Sequence, residues 1–183
     1  GPRARDVLAP LVEDIDLGAS AFPHMAVRSG RICGIETRLF RVSFTGEIGF
    51  EVNVAADYGR AVWEAIWQEA RRFDAAAYGT EAMHVLRAEK GYIIVVQDTD
   101  GTATPDDAGL AWAVGKEKAD FVGKRSLSRP DMRKAGRKQL VGLRILACTH
   151  QLEEGAQVIE RADMPTGSAA LGHVTSSYRS DAL

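Results

Sequence analysis

Residues 36–54 constrain the fold more than any other stretch of this chain. Across residues 36–44, Thr37, Leu39, Val42 and Phe44 alternate with charged neighbours, allowing for one slip at Phe40, and residues 48–54 alternate again through Phe50, Val52 and Val54. A period of two places successive side chains on opposite faces of a strand, so both runs predict half-buried strands. Thr45-Gly46-Glu47 between them supplies turn residues, which makes the pair an antiparallel hairpin. Residues 22–27 and 32–35, flanking Ser29-Gly30, predict a second, shorter hairpin upstream.

A sheet with one apolar face needs a cover, and the next segments read as helices. Asp57 is a candidate cap for a helix in which Ala61, Val62, Ala65 and Ile66 recur at helical spacing, with Trp63 and Trp67 one turn apart. A second helix is predicted after Gly79, with Thr80 as a candidate cap, running through Met83, Val85, Leu86 and Ala88 to a stop at Gly91. Strand, strand, helix, helix predicts an α+β layer. Residues 99–109 are turn-rich. A boundary is expected near residues 130–137, where Ser128-Arg129-Pro130 leads into a basic stretch ending at Lys138. Beyond it, residues 139–145, 157–159 and 171–175 predict short strands of a small β unit, too short to close a sandwich or barrel.

Composition narrows the function. The chain has 183 residues, 45% of them apolar and 26% charged, which suits a globular domain. Its 23 basic and 25 acidic residues leave a net charge of −2 without a long like-charge run, which argues against a nucleic-acid partner. The apolar run at residues 93–96 is far below the roughly 20 residues of a membrane span, so no membrane partner is expected. The start of the chain lacks a signal-peptide pattern and an initiator Met, and a cytoplasmic piece of a longer protein is expected. Cys33 and Cys148 stand in neither zinc nor disulfide spacing. Asp98-Thr99-Asp100-Gly101 lacks the later acidic ligands of a calcium loop and reads as an acidic turn, so no metal is expected. There is no dinucleotide, nucleophile-elbow or phosphate-loop motif, and His24, His84, His150 and His173 are too scattered to nominate a base.

The hairpin carries more. Phe44-Thr45-Gly46-Glu47-Ile48-Gly49-Phe50-Glu51 sets glycines and carboxylates around a tight turn, although glutamates at hairpin ends are usually solvated. Together with Arg41, it resembles the R-x-x-[YF]-T-G-E-x-G-[FY]-E signature of the folate-binding aminomethyltransferase family, typified by the T-protein of the glycine cleavage system. Three further motifs follow in the family's order: Leu86-Arg87-Ala88-Glu89-Lys90-Gly91, Phe121-Val122-Gly123-Lys124-Arg125-Ser126-Leu127 and Gly172-His173-Val174-Thr175-Ser176-Ser177. Within the family, residues 78–92 and Gln97-Asp98-Thr99-Asp100-Gly101-Thr102 resemble the branch formed by the C-terminal regions of heterotetrameric sarcosine oxidase α subunits.

The resemblance implies the second half of a folate-binding aminomethyltransferase-like domain over residues 1–134, followed by a truncated C-terminal β-barrel over residues 135–183. It implies tetrahydrofolate as cofactor, with flavin and NAD elsewhere in a complex whose other subunits are partners. It also implies capture of the one-carbon unit from sarcosine oxidation as 5,10-methylenetetrahydrofolate. Glu51 would turn inward and grip the pterin, since a carboxylate can accept both N3–H and the 2-amino group. Phe44 would stack on the ring, Glu47 would brace the loop, and Thr45 and Arg87 complete the cofactor-binding set. The family's catalytic aspartate maps upstream of Gly1, so no catalytic residue is expected here and the isolated chain is expected to be inactive. Met83 stands where T-proteins carry an arginine, and Arg87 beside Glu89 reads equally well as a structural ion pair. The alternatives are a T-protein-like aminomethyltransferase and a non-catalytic binding or subunit-assembly module. The iron-sulphur branch of such modules carries a cysteine motif where this chain has residues 90–97 without one.

Overall fold

A computed structural model of the chain describes residues 1–145 and 150–182. The described residues form an α+β chain that divides into two compact units, Gly1–Lys90 and Gly91–Leu183.

The first unit is built on a four-stranded antiparallel sheet in chain order: β1 (Val12–Glu13), β2 (Val27–Ile32), β3 (Ile35–Phe40) and β4 (Glu51–Asn53). The hairpin expected over residues 36–54 is present as β3 and β4, with Leu39 opposite Val52 and Phe40 opposite Glu51. Its ladder stops there, and residues 41–50 form an irregular loop rather than a tight turn. The upstream hairpin differs in its turn. Ser29-Gly30 lies inside β2, and the reversal falls at Cys33-Gly34, where both residues have positive φ (51° and 78°), the combination a two-residue primed turn demands. Gly30 is needed for another reason: a Cβ there would meet the Glu13 carbonyl oxygen at 2.7 Å and the Ile15 side chain at 2.5 Å. Absence of a side chain, rather than freedom of φ, keeps it in the strand.

Two helices cover one face of this sheet. Leu8 of α1 (Ala4–Leu8) and Val62 of α2 (Gly59–Ala70) join Leu17, Phe22, Ile32 and Leu39 in one buried cluster, with Val52 and Ile66 packed against it. Phe22, Ile32 and Leu39 are fully buried, each contributing roughly 1.5–3 kcal/mol of transfer free energy. The predicted cap does not form. Asp57 lies in a 3-10 turn, Ala56–Tyr58, that precedes α2, and Tyr58 takes the cap position without a side-chain bond. Trp63 and Trp67 stack with ring centroids 6.3 Å apart and planes 3° from parallel, and Trp63 is 57% exposed. α3 (Thr80–Lys90) begins at the residue expected as its cap, and Gly91, the expected stop, follows it with φ at 79°.

The second unit contains little regular structure: a 3-10 turn at Ala111–Ala113, the short helices α4 (Lys124–Leu127) and α5 (Pro130–Arg133), and a ladder of β5 (Gln157–Val158) with β6 (Gly172–His173). Residues 139–145, expected as a strand, are irregular, and among the described residues no barrel closes. Cys148 lies outside the described residues.

Polar networks hold this unit instead. The Asp107 carboxylate is buried and accepts from Arg137 Nε (3.0 Å), from the backbone N–H and hydroxyl of Thr104 (both 2.8 Å) and from Gln139 Nε2 (3.1 Å). The Arg137 hydrogen bond is the main reason its pKa lies far below the ordinary carboxylate range; burial opposes it and the Thr104 donors add to it. Arg137 also donates to the Asp131 and Thr102 carbonyls. The basic stretch is thereby tied back onto the turn-rich residues 99–109.

Candidate functional site

The loop of residues 41–50 is shaped by groups that cannot be moved cheaply. At its base, Arg41 donates its backbone N–H to Ala26 and accepts at its carbonyl from Met25, both at 2.9 Å, extending the pairing of β2 with β3 by one residue. Arg41 Nη1 then reaches across to the Gly49 carbonyl at 3.3 Å. A Cβ on Gly49 would lie 2.9 Å from the Val42 carbonyl oxygen, so the two arms of the loop meet backbone to backbone. At the tip, Gly46 has φ of 85°, and a Cβ there would meet the Lys90 side chain at 2.7 Å. The T-G-E turn of the first motif therefore rests on the end of the helix carrying the second.

Phe50 fixes the exit of the loop. Its ring contacts Phe22 of the core, with centroids 5.6 Å apart and planes tilted by 54°. The guanidinium carbons of Arg5 and Arg41 lie 5.5 and 5.6 Å from its centroid, cation–π geometry that orients the aromatic. With Phe50 and Val52 packed against the core, strand alternation leaves Glu51 on the opposite face of β4.

That placement differs from an inward-turned Glu51. The side chain is exposed at the edge of the sheet, opposite Phe40, and among the described residues no donor reaches its carboxylate. Phe44 is 37% exposed, Thr45 is half-buried and Glu47 is exposed. Arg87, only 2% exposed, is enclosed on α3 one turn before Lys90, and both it and Glu89 are engaged with neighbours. Thr45 and Glu47 are thus brought to the end of α3, whereas Glu51 stands on the strand beyond the loop.

Sequence reading assigned no role to Arg5 or to the Arg41 side chain, because their common partner, Phe50, becomes apparent only once β1–β4 are assembled. It also missed a junction in the second unit. Asp98 Oδ1 accepts from the hydroxyls of Thr175 and Ser176, both at 2.6 Å, and Oδ2 accepts from the Ile94 N–H at 2.8 Å. Gln97 Nε2 donates to Ser176 Oγ at 3.1 Å and to Glu154 at 3.2 Å. The Gln97-Asp98 segment thereby clasps the Thr175-Ser176-Ser177 motif. Asp100 turns its carboxylate onto the Thr102 hydroxyl and N–H, which hold its pKa below the ordinary value. This is the acidic turn expected. Among the described residues no three His, Cys, Asp or Glu side chains gather as a metal site, and no helix is long and apolar enough to cross a membrane.

The first unit is thus a sheet covered by helices on one side, with a glycine-locked loop that leads Glu51 onto the open face. The GCVT N-terminal domain matches residues 1–118, and the chain belongs to the GCVT family. It is 47% identical, over its whole length, to the sarcosine oxidase subunit alpha of Corynebacterium sp. (strain P-1), and 34% identical over 97% of its length to that of Rhizobium meliloti (strain 1021). It is also 37% identical over 69% of its length to an aminomethyltransferase of Thermotoga maritima, covering 34% of that protein. The chain spans about a fifth of the length of the sarcosine oxidase subunits it matches (19% and 18%).

Proposed function

We propose that this chain is the tetrahydrofolate-binding portion of a sarcosine oxidase α-type subunit. In this reading the subunit captures the one-carbon unit released by sarcosine oxidation as 5,10-methylenetetrahydrofolate. The observation that carries the reading is the 47% identity to a sarcosine oxidase subunit alpha along the whole chain.

The residues present fit the pterin chemically. Glu51 offers both carboxylate oxygens to solvent without an internal donor, as a bidentate acceptor for an N–H and an adjacent amino group must. Phe44 exposes part of a ring on which a flat heterocycle can stack. Gly46, between Thr45 and Glu47, brings the loop tip against Lys90 at the end of α3, and Arg87 is buried on that helix. Tetrahydrofolate, when bound, supplies the one-carbon acceptor. An exposed carboxylate binds weakly against water, so the reading requires a second wall over the open sheet face, contributed from outside residues 1–183. The catalytic carboxylate belongs to the same outside part, and the isolated chain is accordingly inactive in this reading. Residues 1–134 belong to the folate module and residues 135–183 to the start of its β-barrel companion.

The test uses the full-length protein in its complex, oxidising sarcosine with and without tetrahydrofolate. Free formaldehyde should fall, replaced mole for mole by 5,10-methylenetetrahydrofolate. Formaldehyde release unchanged by tetrahydrofolate would overturn the reading.

A further inference from the structure

The stretch Gly123-Lys124-Arg125-Ser126-Leu127-Ser128-Arg129 lies far along the chain from Glu51 and takes no part in the proposed folate chemistry. It belongs to the most basic part of a chain that is acidic overall. Within residues 123–138 every Lys and Arg is opposed by a single carboxylate, Asp131. Some of these cations are already committed: Lys124 Nζ donates to the Lys118 and Ala119 carbonyls at 3.0 and 2.6 Å, and Arg137 is locked on Asp107. Arg125 and Arg129 are not. Both are exposed, and among the described residues no carboxylate lies within ion-pair distance of either.

These two arginines flank a surface hollow of about 490 Å³ whose remaining lining is Ser126 and Ser128. Ser128 Oγ donates to the Arg125 carbonyl at 2.7 Å, which fixes the backbone of the rim. The Ser126 hydroxyl, half-buried, has no partner among the described residues. α4 has only four residues, too few for a helix dipole to matter, so any attraction comes from the side chains.

We propose that this hollow binds one tetrahedral oxyanion of the phosphate class, free or as a monoester. Two guanidinium forks and a hydroxyl present more donors than the two oxygens of a carboxylate can use, whereas a phosphate offers three or four acceptors and a double charge that balances both arginines.

The test is a phosphorus NMR titration of the full chain, in about 0.15 M potassium chloride to screen diffuse attraction, with inorganic phosphate and with glycerol phosphate as separate probes. Saturable line broadening is expected with at least one probe. Tighter binding of glycerol phosphate identifies an esterified ligand, and equal or weaker binding identifies the free ion. Arg125→Gln combined with Arg129→Gln should weaken binding at least tenfold, and Ser126→Ala alone should weaken it severalfold should the double variant fold poorly. Lys138→Gln should leave binding unchanged. Absence of saturable broadening with both probes, or affinity untouched by the arginine and serine substitutions, would overturn the proposal.

Discussion

Gly49 and Val96 are opposite cases of a backbone that does or does not suit its side chain. At Gly49 the obstacle to any Cβ is the Val42 carbonyl oxygen at 2.9 Å, a backbone atom that cannot rotate away. Gly49→Ala should therefore destabilise the fold by about 1–3 kcal/mol, the usual cost of overpacking a closed site. Val96 is a β-branched residue at φ of 81° and 86% exposed, so it carries strain of about 1–3 kcal/mol while burying almost nothing. Glycine there would relieve the strain but add roughly 0.5–1 kcal/mol of unfolded-state entropy, leaving a net gain of about 1 kcal/mol. Chemical denaturation of both variants should move the midpoint down for Gly49→Ala and up for Val96→Gly. Equal shifts of one sign would contradict the loop geometry. The glycines of the hairpin stand out in the sequence, but their reasons do not: Gly46 needs its φ and its contact with Lys90, whereas Gly49 needs only the space.

Among elements, the ones legible in the sequence are those made by apolar periodicity. β3, β4, α2 and α3 follow alternating or helical spacing, and α3 starts at the expected cap residue, Thr80, and stops at Lys90, just before the expected Gly91. The misplaced features are those decided by contacts elsewhere. Ser29-Gly30 looks like a turn until Ile15 and the Glu13 carbonyl crowd it into a strand, and residues 139–145 alternate yet gain no ladder. In the second unit the organising bonds join Asp98 to Thr175, 77 residues apart, and Asp107 to Arg137, 30 apart, separations that no window of periodicity spans. The Asp107 cluster makes a pH prediction. Because its folded pKa is depressed, its contribution is present above the ordinary carboxylate value of about 3.9 and is lost as pH falls below it. Thermal melts of the chain between pH 6 and pH 3 should show a steeper loss of Tm than melts of Asp107→Asn, which should already melt lower at pH 6 because Arg137 is left without its carboxylate. Parallel curves would remove Asp107 from the account.

At the scale of the whole molecule, the sequence nominates the residues of the candidate site but not their placement. The motif names Glu51, but strand register decides that it stands on the open face while Phe50 and Val52 face the core. In the proposed reading a carboxylate so placed serves a pterin only when a second wall covers the sheet face, and the chain spans 19% of the Corynebacterium sp. (strain P-1) sarcosine oxidase subunit alpha to which it is similar. Calorimetric titration of tetrahydrofolate into the full-length protein tests the proposed role of Glu51 most directly. Glu51→Gln removes one charge-assisted acceptor and should weaken binding by about 1.5–3 kcal/mol, at least tenfold, while Glu64→Gln on α2 leaves affinity unchanged. Wild-type affinity in Glu51→Gln would contradict the central claim.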